Sequence, residues 1–264
     1  MSDARSALRR GAAQLDPISL TEVLAVAELQ SRVDRKYLVT PDQFDEFIQA
    51  CGDTLRVLEI NGLRDFRYES IYFDTPGLAA YHRAATGRRA RFKVRTRTYV
   101  DSNECMLEVK TRGGRSETVK ERMPYQVEHR ERLEPQAETF VAQRIGPNGA
   151  AGSLSPVLRT RYSRMTLVDP TEGTRVTCDA RLLCTAPGGA NAGMDTHVLV
   201  EVKSLGSATP VDRVLWAMGE RPLPISKYCV GLAMVQPHLR ANRWNRTLRR
   251  YFGWEPGRAP SPVV

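Results

Sequence analysis

Charged residues stand on alternate positions in four short stretches of this 264-residue chain, and that spacing points to a particular chemistry. The fullest is Arg91-Phe92-Lys93-Val94-Arg95-Thr96-Arg97. A strand sends successive side chains to opposite faces, so Arg91, Lys93, Arg95 and Arg97 would share one side. Glu108 and Lys110 in MLEVKT, and Glu201 and Lys203 in LVEVKS, repeat the period with a carboxylate added. Arg32, Asp34 and Lys36 in RVDRKYLV are the fourth case. An ordinary half-buried strand alternates apolar with polar and turns its polar side to water. Several strands carrying cations and a few acids on one face describe instead a charged cavity for a polyanion.

A chain of linked phosphates carries negative charge at short regular intervals, so its site must present many cations. Arginine offers forked donors to phosphate oxygens and lysine a compact point charge. Arg95, Arg97, Lys93, Lys110, Lys120, Arg122, Arg159, Arg161, Arg175 and Lys203 are spread over several expected strands and would surround a ligand. A nucleic-acid surface more often forms a stripe on one outer face, so no nucleic-acid partner is expected. The acids answer a second need. Phosphoryl transfer uses Mg²⁺ or Mn²⁺ to bridge phosphate oxygens, and Mg²⁺ takes one or two protein carboxylates with waters and phosphates. Glu201 and Glu108, each two residues from an inward lysine, are the candidate metal ligands, with Asp34 and Asp179 behind them. Each Glu-x-Lys reads equally well as an ion pair on a solvated strand face.

The elements that must position these residues follow from periodicity and punctuation. Residues 1–16 are small and charged and suggest a flexible N-terminus. A helix is expected over 19–30, a strand over 32–39, and a second helix started by Thr40-Pro41-Asp42, with Phe44, Phe47 and Ile48 as its stripe. Strand signals follow at 55–60, 66–73, 90–100, 104–111, 116–123, 157–168, 174–182 and 196–204. Gly113-Gly114 reads as a hairpin turn, 135–145 and 211–219 as helices, and 146–156 and 186–193 as loops. The fold class expected is α+β: a closed antiparallel β-barrel tunnel of about eight strands with flanking helices, whose lumen can hold solvated charge. One domain is expected over 17–239, followed by a basic helix or tail over 240–264 with Trp244, Leu248, Tyr251 and Phe252 on one face.

Composition narrows the classes. An apolar share of 41% excludes global disorder, and a net charge of +9 points to an anionic partner. The five cysteines include no CxxC pair, so neither a zinc site nor a disulfide framework is expected. The four histidines lack metal-ligand spacing, and the Gly-rich stretches at 146–152 and 188–193 lack a P-loop pattern. With no long apolar run, a soluble cytoplasmic protein without a transmembrane segment is expected; a membrane partner protein is compatible with that.

The segments RVDRKYLV, SIYFDTPGLAAYHR, KVRTRTY, MLEVKT, VKER, PVLRTRYSR, LVEVKS and SKYCVG, in that order, resemble the VTC domain. That domain is the polyphosphate polymerase module of the vacuolar transporter chaperone complex and belongs to the triphosphate tunnel metalloenzymes, with the CYTH proteins. The resemblance implies an antiparallel tunnel that binds ATP and triphosphate or polyphosphate with a divalent metal. It assigns phosphate binding to Lys36, to the paired Arg95 and Arg97, to Lys110 and Lys120, to Arg159 or Arg161, to Arg175, and to Lys227 of the late Ser-Lys element. It assigns the metal to Glu201. Two departures stand out: Asp34 where relatives often carry glutamate, and Pro224-Ile225 where the eukaryotic polymerases have an extra lysine. The activity implied is transfer of the ATP γ-phosphate to a growing polyphosphate chain, with Arg95, Arg97 and Lys110 at the reacting phosphates. Its rivals are a triphosphatase on the same tunnel and a non-catalytic polyphosphate-binding regulator.

Overall fold

Where charged and apolar residues alternate, the chain is strand. The computed structural model describes residues 3–26, 33–112, 118–146 and 151–258. Its strands are β1 (Pro17–Ile18), β2 (Val33–Val39), β3 (Arg56–Leu58), β4 (Phe66–Asp74), β5 (Arg91–Tyr99), β6 (Glu104–Arg112), β7 (Thr118–Tyr125), β8 (Ser155–Asp169), β9 (Thr174–Thr185), β10 (Asn191–Met194) and β11 (Val198–Ser204). The helices are α1 (Ala4–Gln14), α2 (Leu20–Val26), α3 (Pro41–Cys51), α4 (Ala79–Ala85), α5 (Pro135–Ile145), α6 (Pro210–Ala217), α7 (Lys227–Val235) and α8 (Asn245–Phe252). The fold is α+β, with eight antiparallel strands as its main path and helices flanking them, as expected. The hairpin turn at Gly113-Gly114, the end of the first expected helix and Arg32 lie outside the described residues.

The chain forms two compact units. The first comprises Met1–Phe66, Tyr162–Leu182 and Met194–Pro224; the second comprises Arg67–Arg161, Leu183–Gly193 and Ile225–Val264. Six segments, three in each unit, alternate along the chain, which is why no linker marks a boundary in the sequence.

In the first unit the strand order is β2-β11-β9-β8, with β3 on β8 and β1 parallel to β3. Period-two alternation sends Val198, Val200 and Val202 of β11 and Val176, Cys178 and Ala180 of β9 into one core with Tyr37, Phe44, Phe47 and Ile48. Glu201, Lys203, Thr177 and Asp179 hold the intervening positions. Thr40 caps α3 through a capping box with Gln43, and Thr209 caps α6 through one with Asp212. Asp212 is fully buried and accepts from the Tyr37 hydroxyl at 2.6 Å and from Arg35 at 3.2 Å, tying α6 to β2.

The N-terminus departs from expectation. Residues 4–14 are a helix: Asp3 accepts from the Ser6 amide at 2.9 Å, and Ala4, Ala7, Leu8 and Ala12 are buried. Small residues at helical spacing form its contact face, a weak signal in a sequence. A Cβ on Gly11 would lie 3.0 Å from Ile48, so α1 lies close against α3 only because that position is glycine.

In the second unit the order is β8-β4-β5-β6-β7, with β10 paired to β9. Phe92, Val94, Leu107 and Val109 form the apolar side of β5 and β6, and α5 packs on β6 with Ala137 and Val141 buried. Neither α4 nor α7 was expected. Helix α7 is buried along its whole length except Lys227, so it shows no amphipathic stripe. A Cβ on Gly231 would come within 2.7 Å of the Cys184 sulfur, so this helix too depends on a glycine for its closeness to the strands. The basic tail forms α8 with Leu248 buried, preceded by buried Trp244 and followed by Trp254, whose indole donates to the Ala233 carbonyl at 2.9 Å. All five cysteines are buried free thiols.

Candidate functional site

Strand register builds the charged face of the second unit. Arg91 stands opposite Arg112, Lys93 opposite Lys110, and Arg95 opposite Glu108; on the far side of β6, Lys110 faces Lys120 and Glu108 faces Arg122. Directly opposed residues share a face, so these form successive rungs with the apolar residues behind. Glu108 is the one acid among them. Arg95 Nε donates to its Oε2 at 2.7 Å, Lys120 Nζ lies 2.6 Å from Oε1, and Arg97 Nη1 lies 3.8 Å from Oε1. Burial alone would raise the Glu108 carboxyl pKa, but Arg95, Arg97 and Lys120 hold it far below the usual carboxylate range. Burial lowers the Lys120 amine to about 8, aided by repulsion from Arg97 and Arg95 and opposed by Glu108.

A second layer holds this face still. Arg95 Nη1 donates to the Tyr72 hydroxyl at 3.1 Å, and Tyr72 stacks on Tyr228 with centroids 5.1 Å apart. The Tyr228 hydroxyl donates to buried Asp74, whose carboxylate also accepts from the amides of Thr75, Ala80 and Tyr81 at the start of α4. Lys93 Nζ donates at 2.8 Å to Ser226, the residue that caps α7. Lys227 is the first residue of α7 and half-buried; Lys110 and Arg122 are exposed. Arg159 and Arg161 of β8 converge with Arg130 on Glu69, at 4.0, 2.7 and 3.1 Å. Burial raises the Glu69 pKa, but Arg161 and Arg130 more than offset it and leave the group below its ordinary value.

The first unit carries a different cluster. Glu201 faces Lys36 across β2 and Thr177 across β9, while Lys203 faces Asp34 and Arg175. Lys36 Nζ lies 2.8 Å from Glu201 Oε1, Lys203 Nζ lies 3.2 Å from Oε2, and Lys203 also donates to the Thr177 hydroxyl at 2.8 Å. Burial would raise the Glu201 carboxyl pKa; Lys203, Lys36 and Arg164 hold it well below the usual range. Burial, with repulsion from Arg164 and Arg175, brings the Lys203 amine down to about 7 despite Glu201 beside it. Asp179 is held by Arg164 through two parallel hydrogen bonds of 2.6 and 2.8 Å.

Among the described residues no group of three or more His, Cys, Asp or Glu side chains is placed to hold a metal ion. A hard divalent ion that takes one carboxylate and completes its shell with water and phosphate oxygens needs no such group, and Glu201 and Glu108, each held ionised by three cations, are both carboxylates of that kind.

Residues 31–236 match the VTC domain family. The chain belongs to that family. No curated protein matches it by sequence. Among solved structures it is similar to HpAC1 from Hippeastrum, described as having a dominant triphosphatase activity, at 13% identity and a TM-score of 0.50, covering 76% of this chain and 94% of the other. It is similar in the same degree to an adenylate cyclase-like protein (bh2851) from Bacillus halodurans, at 11% identity and a TM-score of 0.50, covering 74% and 94%. These likenesses concern the fold.

Sequence reasoning on this VTC domain missed Glu69, Arg130, Arg164, Thr177, Tyr72 and Ser226. Arg164 had a legible signal: an arginine inside the buried run of β8 requires a buried acid, and Asp179 supplies it. Glu69 and Arg130 had none, because only folding brings them beside Arg159 and Arg161. No described helix is long and apolar enough to cross a membrane.

Proposed function

We propose that this VTC domain is a divalent-metal-dependent polyphosphate polymerase, transferring the γ-phosphate of ATP to the end of a polyphosphate chain. The observation that carries the reading is the run of cationic rungs on β5, β6 and β7, which is longer than three linked phosphates need. Arg95, Arg97 and Lys120 are preorganised around Glu108 and can hold phosphate oxygens without rearranging. Lys93, Lys110 and Arg122 extend that hold along the ligand. Lys36, Arg175, Lys203 and Lys227, and Arg159 and Arg161, which are shared with Glu69, serve as further phosphate cations.

A terminal phosphate oxygen of the acceptor forms a bond to the γ-phosphorus as the bond from that phosphorus to the β–γ bridging oxygen breaks, and ADP leaves with the electron pair. No protein nucleophile takes part; the side chains align the phosphates and neutralise the charge that develops. Glu201 would hold the Mg²⁺ or Mn²⁺, which would supply Lewis-acid neutralisation of the phosphate charge. Glu201 is ionised at neutral pH, its carboxyl pKa held well below the usual range by Lys203 and Lys36.

A triphosphatase is the second reading, favoured by the activity described for HpAC1 and by Pro224-Ile225 where an extra lysine stands in the eukaryotic polymerases. Incubation of the purified protein with γ-labelled ATP and Mn²⁺ or Mg²⁺, with products resolved by gel, separates the readings. Long labelled polymer with ADP is expected. Free phosphate alone establishes the triphosphatase, and no turnover with retained binding establishes a regulatory polyphosphate-binding module.

A further inference from the structure

β5 begins and β6 ends on arginine, and the register sets Arg91 directly opposite Arg112. Like charges in that relation are unfavourable on a sheet. A third guanidinium joins them. Arg243 lies in the short turn Asn242–Trp244 before α8, and its Nη1 sits 3.3 Å from where a Cβ on Gly87 would be. Gly87 has a left-handed backbone, φ 71°, and its bare Cα leaves that space open. The Arg91 pKa is lowered by burial first and then by the charges of Arg112 and Arg243. Among the described residues none of the three is in an ion pair.

The position of Arg243 is set by its neighbour: Trp244 is buried against Tyr81 with centroids 5.8 Å apart. Three arginines from three elements, none of them paired with a described acid, are thus positioned by strand register and by the packing of Trp244. Arg91 and Arg112 also lie in line with the proposed phosphate-binding rungs. Two residues along the same face stand Lys93 and Lys110, and two further Arg95 and Glu108, roughly 13 Å from Arg91 at the rise of a strand.

We propose that Arg91, Arg112 and Arg243 form a distal subsite that holds the part of a long inorganic polyphosphate extending beyond the phosphates bound at Arg95 and Lys120. The inference rests on the polyphosphate reading above and adds chain-length preference to it. Nucleic acid suits the cluster less well. Phe92 is buried on the opposite face and Trp244 is buried against Tyr81, so the neighbouring rings are not available for bases to stack on.

Arg112→Glu and Arg243→Glu, both at exposed positions, test this in the full chain, with melting temperature as the folding check. Affinities for inorganic tripolyphosphate and for long-chain polyphosphate are measured by calorimetry at several salt concentrations. Each reversal is expected to weaken long-chain binding about tenfold and lower its salt slope by about 1, leaving tripolyphosphate binding within about twofold. Arg213→Glu on α6, an exposed change of equal charge, is expected to leave both affinities unaltered. Equal losses for the two ligands, or a matching loss with Arg213→Glu, would show a diffuse field and overturn the subsite. A matching loss of single-stranded RNA binding would overturn it in favour of a nucleic-acid surface. If the unaltered protein binds tripolyphosphate but does not prefer the long chain, the subsite alone fails; if it does not bind tripolyphosphate, the polyphosphate reading fails and the subsite with it.

Discussion

Glu108 and Glu201 sit in the same short motif, Glu-x-Lys on a strand, one in each unit, and the two are buried in opposite order. In the second unit the acid is sunk: the Glu108 side chain is 2% exposed while Lys110, the lysine of the motif, is exposed. In the first unit the lysine is sunk: Lys203 is 7% exposed and Glu201 15%. Under the proposed function, the buried carboxylate below outward cations would present positive charge to phosphate, and the more open carboxylate would receive the divalent ion. The motif is the same in both units; the depth of its members differs.

The largest expected effect separates the two acids by activity. Glu201→Gln keeps the shape and removes the charge, so turnover with Mn²⁺ or Mg²⁺ should fall about 10²–10³-fold while metal-free tripolyphosphate binding survives. Phosphate release assays and calorimetry report the two quantities, and an equal collapse in Glu108→Gln with binding intact would erase the distinction. Stability should divide the pair the other way. Glu108→Ala leaves Arg95 and Lys120 without their shared counter-charge and should cost about 3–5 kcal/mol, read from the urea midpoint. Glu201→Ala should cost less, because Lys203, with its pKa already at about 7, can shed its proton. A loss as large as that of Glu108→Ala would break the comparison.

The smallest effect sharpens it. The Lys120 pKa of about 8 in the free protein lies below the ordinary 10.5, so the amine loses its proton as pH rises through 8. A bound phosphate favours the charged form, so tripolyphosphate affinity should weaken as pH rises from 7 to 9, with proton uptake on binding. Lys120→Arg, charged throughout, should flatten that dependence. An unchanged profile in this variant would assign the titration elsewhere.

The charged face of β5 was legible because its period is two and the uncharged residues between, Phe92, Val94 and Thr96, alternate with it without a break. The helix α3 was legible for a similar reason: Thr40, Pro41 and its stripe are local signals. By contrast, α1 relies on Ala4, Ala7 and Gly11, whose contribution is closeness to α3, and closeness has no signature in composition. Helix α7 is buried on all sides, so the stripe that reveals a surface helix is missing. Glu69 escaped notice because its three arginine partners lie 61, 90 and 92 residues away in the chain, two of them on a strand shared by both units.

Local chemistry in the sequence therefore determined the strands, their charged faces, the family and the set of cations able to meet phosphate. These depend on neighbours one to four residues apart, and side-chain alternation and capping are properties of such neighbours. Only the tertiary structure decided which charges are spent on one another: Arg164 on Asp179, Arg161 on Glu69, Arg95 and Lys120 on Glu108, and Arg91, Arg112 and Arg243 on none of the described acids. Ion pairing falls steeply with distance and depends on burial, and both are set by register and packing between segments far apart in the chain.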